Sequence, residues 1–184
     1  MLESARSKSA LAPESHPQIV RLRGIAQKII PHTRKWNDAA EQWKWEIHLI
    51  GSPQLNAFCM PGGKIAFFYG LLERLQLSDD EVAMVMGHEI AHALREHARE
   101  RAGKQMATQG GALVIGILTG SGLAHDMARG AGGLLGLKFS RDDETEADLV
   151  GMELAARAGY DPRAGISLWQ KMSAAAKGTP PQWL

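Results

Sequence analysis

The six-residue segment GHEIAH, residues 87–92, is the feature that most constrains what this chain can fold into. It lies in a run whose pattern predicts one helix over residues 79–101. Histidines four positions apart stack on one face of a helix, so His88 and His92 can bind the same ion through ring nitrogens. A catalytic zinc takes three protein ligands, and the fold must therefore bring a third ligand to this helix from elsewhere.

Glu89 lies at the edge of the same helix face. A catalytic zinc lowers the pKa of a bound water to about 7, and a nearby carboxylate can then take the proton as the water attacks a carbonyl. The simpler alternative is a buried helix whose histidines only satisfy hydrogen bonds. However, the helix is apolar around the motif, and three ionisable groups in its middle are costly unless they serve a site. We therefore predict a metal site with Glu89 as catalytic base.

His97 follows the motif but does not complete it. It lies five positions after His92, about 140° round a continuous helix, so the two cannot bind one ion from the same helix. The metzincin pattern is also excluded, because Arg95 and Ala98 stand where that pattern needs glycine and histidine. The third ligand must come from another part of the chain.

Residues 140–159 form a second helical pattern, and it is rich in carboxylates. Glu144 and Asp148 are four positions apart and share a face, whereas Glu146 points elsewhere. We predict Glu144 as the third zinc ligand, and Asp148 as the acceptor for the free N–H of a ligating histidine. The alternative is that these acids only stabilise a helix N-terminus through its dipole.

Two apolar runs joined by Pro61-Gly62-Gly63 predict a β-hairpin. The runs are residues 55–60 and 64–68, and the alternation in residues 43–49 predicts a further strand of the same sheet, with His48 on the surface. An edge strand beside a metal site could hold an extended peptide through backbone hydrogen bonds. A hairpin that serves only the core is an equal alternative.

Three further helices are predicted, at residues 16–32, 69–75 and 162–176. Ser78 and Glu81 have the spacing of a capping box, which fixes the start of the motif helix. In the last helix, Trp169 and Met172 belong to the stripe that we expect in the core.

Composition excludes several classes of protein and kinds of site. A net charge of +1 gives no electrostatic argument for nucleic acid as a partner, and the single cysteine, Cys59, excludes an internal disulfide framework or a cysteine-rich zinc site. No apolar run has the length of a membrane span. Residues 1–15 are polar and are expected to be a flexible leader before one domain, residues 16–184.

Residues 103–138 are unusual, with nine glycines between positions 110 and 136 among scattered apolar residues. This composition disfavours a stable helix yet is too apolar for a solvated linker. One hypothesis is a mobile flap over the cleft, with apolar patches that could touch substrate or membrane. A pair of small-residue helices packed on the core is the alternative.

These motifs occur together in an order that resembles one family. The segments are GHEIAH at 87–92, SRxxExxADxxG at 140–151, NAF at 56–58, PGG at 61–63 and AGYDP at 158–162. The combination resembles the gluzincin peptidases that include HtpX and the CaaX-processing endopeptidase, and it is most similar to their soluble bacterial cell-envelope members. The resemblance extends from residue 16 to residue 184.

The resemblance implies an α+β, zincin-like domain that is mostly helical, with a small mixed sheet and an edge hairpin. It implies one Zn²⁺ per chain on the ligands named above, with the same glutamate as catalytic base. It also implies that the strand carrying Asn56, Ala57 and Phe58 borders the substrate cleft. The family usually continues beyond residue 184 into a His-Pro segment, so we expect this chain to bind zinc well and cut poorly.

The expected function is that of a zinc-dependent endopeptidase. By resemblance, its substrates would be misfolded or assembling cell-envelope polypeptides, such as unfolded outer-membrane proteins, in the periplasm or cell envelope, with membrane association left open. The alternative is a zinc-bound, chaperone-like binding module with weak or latent proteolysis. A purely structural zinc site would need a fourth protein ligand, and no residue in the sequence offers itself.

Overall fold

The computed structural model of the chain describes residues 10–108 and 139–175. Its α-helices are α1 Pro17–Ile29, α2 Tyr69–Leu75, α3 Asp79–Leu94, α4 His97–Thr108, α5 Arg141–Arg157 and α6 Ala164–Ala175. Its strands are β1 Glu46–Ile50, β2 Ala57–Met60 and β3 Lys64–Phe68, and two 3₁₀ helices, Ile30–Lys35 and Asp38–Gln42, connect α1 to β1. The fold is therefore mostly helical with a small sheet, which confirms the predicted α+β class.

The sheet is mixed, with strand order β1-β3-β2. β3 pairs in parallel with β1 and antiparallel with β2, so β2 and β3 form the predicted hairpin. Gly62 and Gly63 both have a φ of +88°, a conformation that glycine adopts without steric cost, and they make the tight connection possible. Leu11 bridges the outer edge of β1, whereas β2 has no strand partner on its outer edge within the described residues.

Helix α3 is the centre of the core. Every residue from Glu81 to Leu94 is buried, and the helix packs against α5, β2, α1 and α6. The fully buried side chains around it include Leu22 and Ile29 of α1, Ile65 and Phe67 of β3, and Leu154 of α5. Each buried aliphatic or aromatic side chain contributes roughly 1.5–3 kcal/mol, so the motif helix is held in place by the core itself.

Helices α3 and α5 meet backbone to backbone. A Cβ on Gly87 would lie 2.5 Å from the carbonyl oxygen of Gly151, and a Cβ on Gly151 would lie 2.5 Å from the amide nitrogen of His88. No larger residue fits at either position unless the helices separate. The glycine pair therefore sets the distance between the two helices that carry the predicted ligands.

Three details differ from the sequence predictions. The predicted helix over residues 79–101 is two helices, because Glu96 has a φ of +55° and the chain turns before α4 begins at His97. His48 is partly buried and not fully exposed, since its side chain is 14% exposed and bonds to Glu46 at 3.0 Å. Trp169 is 49% exposed rather than in the core, while Met172 is buried as predicted.

The capping box is as predicted: the Ser78 hydroxyl accepts from the amide of Glu81, and the Glu81 carboxylate accepts from the amide of Ser78. None of the described helices is long and apolar enough to cross a membrane. Residues 1–9 of the predicted leader, most of the glycine-rich segment and the chain after residue 175 lie outside the described residues. Residues 10–12 of that leader are described, and they pair with the outer edge of β1.

Candidate metal centre

His88, His92 and Glu144 point their ligand atoms at one small region. The Nε2 atoms of the two histidines are 3.1 Å apart. The Glu144 carboxylate lies 3.4 Å from Nε2 of His88 through one oxygen and 3.7 Å from Nε2 of His92 through the other. The structure thus brings together the three residues that the sequence predicted as metal ligands.

This triangle fits zinc. Zinc binds imidazole nitrogen and carboxylate oxygen at about 2.0–2.2 Å, and a tetrahedral arrangement then places neighbouring ligand atoms about 3.3–3.6 Å apart. Two imidazoles and one carboxylate are also donors that suit this ion. The histidines are buried, but the Glu144 side chain is 27% exposed, so the site is open on one side for a further ligand.

Asp148 contacts the other ring nitrogen of His88. Its Oδ1 lies 2.9 Å from Nδ1 of His88, one helical turn beyond Glu144 on the same face of α5. A carboxylate at this position accepts the Nδ1 proton and leaves Nε2 free for a metal. The contact that the sequence predicted for Asp148 is therefore present in the geometry.

The site shifts the pKa of its titratable groups. Burial raises the pKa of Glu89 to about 7; the nearby His88 opposes this shift and the Glu144 charge adds to it. Burial opposes ionisation of Glu144, but its interactions with His88 and His92 outweigh burial and lower its pKa to about 2. Glu144 is therefore ionised, while Glu89 titrates near neutrality, where a general base works best.

The two histidines differ in their charge balance. Burial lowers the pKa of His92 and so favours the neutral ring that metals bind. Burial also acts to lower the pKa of His88, but hydrogen bonds to Asp148 and Glu144 dominate and raise it to about 10. A metal must displace this proton, so metal affinity should fall as the pH falls.

Strand β2 lies beside Glu89. The strand packs against α3, the helix that carries Glu89. Burial raises the pKa of the Cys59 thiol, and the charge of Glu89 raises it further. Ala57 and Cys59 face the helices, whereas Phe58 lies on the opposite face of the sheet and packs edge-on against Phe68. The Phe58 side chain therefore does not face the helices that carry the predicted ligands.

Comparison with known proteins identifies the family. Residues 20–184 match peptidase family M48. The chain belongs to this family. Peptidases of family M48 are zinc-dependent, which agrees with the donor set of the M48 chain described here.

The relatives come from both mitochondria and bacteria. The mitochondrial metalloendopeptidase OMA1 of Saccharomyces cerevisiae is 32% identical over 174 residues, which are 91% of this chain and 50% of the yeast protein. OMA1 of Arabidopsis thaliana is 41% identical over 128 residues, 70% of this chain and 26% of the plant protein. The beta-barrel assembly-enhancing protease of Yersinia pestis is 29% identical over 151 residues, 76% of this chain and 31% of that protein. The M48 chain therefore spans half or less of the length of these relatives. They support the family but do not single out the HtpX type or a bacterial envelope group.

A cavity of about 280 Å³ opens next to the metal centre. His88, Glu89, Glu144 and Asp148 form its polar part. The rest is apolar and includes Met84, Val85, Met152, Leu168, Trp169 and Met172. Trp169 thus lines a cleft beside the site, which explains why it is not in the core as the sequence predicted.

Sequence reasoning missed one feature, the surroundings of His92. Nδ1 of His92 lies 2.9 Å from Nδ1 of His97, and Nε2 of His97 lies 2.9 Å from Oε2 of Glu146. The ring of Phe139 stacks on His92 with 4.2 Å between ring centres. Hydrogen bonds from His97 and Arg95 also lower the pKa of Glu146. The left-handed residue at 96 makes this arrangement possible, and neither glycine nor proline marks it in the sequence.

Proposed function

We propose that this M48 chain is the catalytic part of a zinc-dependent endopeptidase. The observation that carries the proposal is the buried Glu89 next to a triangle of ligand atoms with the dimensions of a zinc site. Neither a structural metal site nor a binding module needs a buried carboxylate that does not bind the metal. Among the described residues, the donor set also lacks the fourth protein ligand that a structural zinc site would use.

The residues of the site have different chemical roles. His88, His92 and Glu144 would hold the ion, which when bound supplies a Lewis acid and lowers the pKa of water. Glu89 would take a proton from the attacking water and later donate it to the leaving amine. Burial favours this exchange, because it brings the pKa of Glu89 to about 7 and so close to the working pH.

The outer edge of β2 is suited to bind the substrate backbone. In an antiparallel pair, alternate residues direct their backbone groups to the partner strand. The carbonyl of Asn56 accepts from the amide of Phe68 at 3.0 Å, so Asn56 and Phe58 face β3. The backbone groups of Ala57 and Cys59 then face outward. An extended peptide added at this edge would lie beside Glu89, held without contacts specific to its sequence.

The cavity suggests which side chain the substrate presents. Its lining is mostly apolar, and Trp169 provides a large aromatic surface at its exposed part. An apolar side chain next to the scissile bond would remove this surface from water at about 25 cal/mol per Å². We therefore propose that unfolded polypeptides with exposed apolar residues are the preferred substrates. A role in the assembly of β-barrel proteins would agree with the name of the Yersinia pestis relative, a beta-barrel assembly-enhancing protease.

Substitution of the base tests the proposal. Glu89→Gln should retain one zinc per chain but lose chelator-sensitive cleavage of unfolded casein, because the amide cannot accept the proton. Glu41→Gln, at an exposed position in the second 3₁₀ helix, is the matched control and should cleave like the parent protein. Equal cleavage by the parent and the Glu89→Gln variant would refute the assignment. Zinc binding without cleavage in the parent would favour either an inhibited enzyme or the chaperone-like binding module.

A further inference from the structure

We propose that His97 and Glu146 form a positioning pair that orients His92 and fixes its tautomer for metal binding. The inference deepens the proposed function, since it concerns how the same site is built. It assigns roles to two residues that make no contact with the metal position. The pair would act through His92 and not on the reacting atoms.

The hydrogen bonds form a continuous chain. Glu146 accepts from Nε2 of His97 at 2.9 Å, and Nδ1 of His97 lies 2.9 Å from Nδ1 of His92. On the far side, Nε2 of His92 faces Nε2 of His88 and the Glu144 carboxylate. Every ring nitrogen of His92 and His97 thus has a defined neighbour.

Only one arrangement of protons satisfies this chain when both rings are neutral. A carboxylate can only accept, so Nε2 of His97 carries a proton and donates it to Glu146. Nδ1 of a neutral His97 is then an acceptor, and it must receive the Nδ1 proton of His92. This leaves the lone pair of Nε2 on His92 directed at the metal position. The pair therefore selects the tautomer of His92 that can bind a metal.

The two ligand histidines are supported differently. His88 contacts a carboxylate directly, through Asp148. His92 reaches its carboxylate through the intervening ring of His97, which is 2% exposed and thus removed from water. A buried imidazole with both nitrogens engaged is held rigidly, because any rotation would leave a polar atom without a partner. The ring of Phe139 stacks on the ring of His92 and further restricts its rotation.

The turn between α3 and α4 builds the pair. On a continuous helix, His97 would lie about 140° away from His92 and could not reach its Nδ1 atom. The left-handed conformation of Glu96 ends α3 and redirects the chain so that His97 folds back. Arg95 then anchors the acid, since its guanidinium contacts Oε1 of Glu146 at 2.8 Å. Backbone strain at position 96 is thus balanced by contacts that serve the site.

Zinc affinity is the direct test, measured by competition with a chelating indicator on the full chain. Removal of an outer partner of a ligating histidine typically weakens metal binding about 10- to 100-fold, and we expect this loss for Glu146→Ala. Glu153→Ala is the matched control. Glu153 lies on the same helix, also pairs with an arginine, and is 39% exposed against 40% for Glu146. The control should bind zinc like the parent protein.

A change in the site must be distinguished from a general loss of stability. The visible absorption spectrum of the Co²⁺-loaded protein should shift in Glu146→Ala but not in Glu153→Ala, because only the first alters the ligand field at His92. Glu146→Asp should recover part of the zinc affinity. His97→Phe removes the middle of the chain and should weaken zinc binding at least as much; if it does not fold, the Glu146 series decides alone.

The outcomes separate this inference from the proposed function. Equal zinc affinity and equal cobalt spectra for Glu146→Ala and Glu153→Ala would overturn the positioning role, whatever the protein cleaves. Weaker zinc binding in Glu146→Ala would support the role even if the parent protein proved not to cleave casein. Excess zinc should restore cleavage in Glu146→Ala, as expected if the variant loses metal occupancy rather than a group that reacts.

Discussion

Gly151→Ala should damage the metal centre without touching any ligand. The new Cβ would lie 2.5 Å from the amide nitrogen of His88, 2.7 Å from the carbonyl carbon of Gly87 and 2.8 Å from Cα of His88. All three neighbours are backbone atoms of α3, so no side chain can rotate away to make room. Favourable contacts between such atoms begin near 3.5 Å, and the two helices must therefore separate by about 1 Å.

This shift has unequal effects on folding and on metal binding. Overpacking of a core contact costs about 1–3 kcal/mol, and the higher helix propensity of alanine offsets about 1 kcal/mol of that. The net destabilisation should therefore be at most about 2 kcal/mol. Metal–ligand distances, however, tolerate only about 0.2 Å, and Glu144 moves with α5 while both histidines stay on α3. We expect zinc affinity to fall at least tenfold in a protein that still folds.

Two measurements check this prediction: thermal unfolding, and zinc affinity from competition with a chelating indicator. The control is Gly24→Ala in the interior of α1, where a Cβ would meet nothing within 4 Å. The control should gain stability, by up to about 1 kcal/mol, and should keep the zinc affinity of the parent. The reasoning fails if Gly151→Ala binds zinc within twofold of the control, because the glycine contact would then not set the position of Glu144.

Three further predictions concern the acids and the cleft. The Glu81 carboxylate accepts from Ser78, Ser167 and Lys171, and these contacts lower its pKa although burial acts to raise it. A carboxylate with a lowered pKa stabilises the fold at pH values above its ordinary pKa of about 4.3, and this stabilisation is lost as the pH falls through the folded-state pKa. Glu81→Gln should therefore lower the free energy of unfolding by about 1–3 kcal/mol at pH 7 and by less at pH 3, as measured by urea unfolding. Burial raises the pKa of Glu89 to about 7, and a bound cation would lower it again, so kcat/KM for cleavage should decline below neutral pH with a midpoint at or below about 7. A flat profile of kcat/KM between pH 7 and pH 4 would contradict the role of Glu89 as base. Trp169→Ala should reduce kcat/KM about tenfold for peptides with a large apolar residue beside the scissile bond, but not for the matched alanine peptide, and zinc affinity should not change.

The parts of the site that the sequence predicted depend on local periodicity. His88 and His92 face one ion because four residues make about one helical turn, and Glu144 and Asp148 share a face of α5 for the same reason. The capping box before α3 and the glycine turn of the hairpin are equally local. In each case a few neighbouring residues determine the backbone conformation, so the local sequence pattern is sufficient to predict it.

The distance between α3 and α5 could not be predicted in this way. The sequence shows a glycine before His88 and another at position 151, but nothing in their spacing says that they touch. Their contact depends on how two helices more than 40 residues apart in the chain are packed by the core. A glycine in a helix interior costs about 1 kcal/mol relative to alanine, and only the packed structure reveals the close approach that offsets this cost.

The support of His92 escaped prediction for a different reason. The sequence predicts one continuous helix over residues 79–101, and on such a helix His97 lies too far round to bind an ion together with His92. Glu96 adopts a left-handed conformation with no glycine, asparagine or proline to announce it, so tertiary contacts outweigh the local preference. Glu146 does point away from Glu144 around α5, as its spacing predicted, and it is this direction that brings it to His97. The spacing in α3 and in α5 therefore predicts correctly which residues face the metal position. The turn at residue 96 brings His97 to Glu146, which lies on the side of α5 away from Glu144.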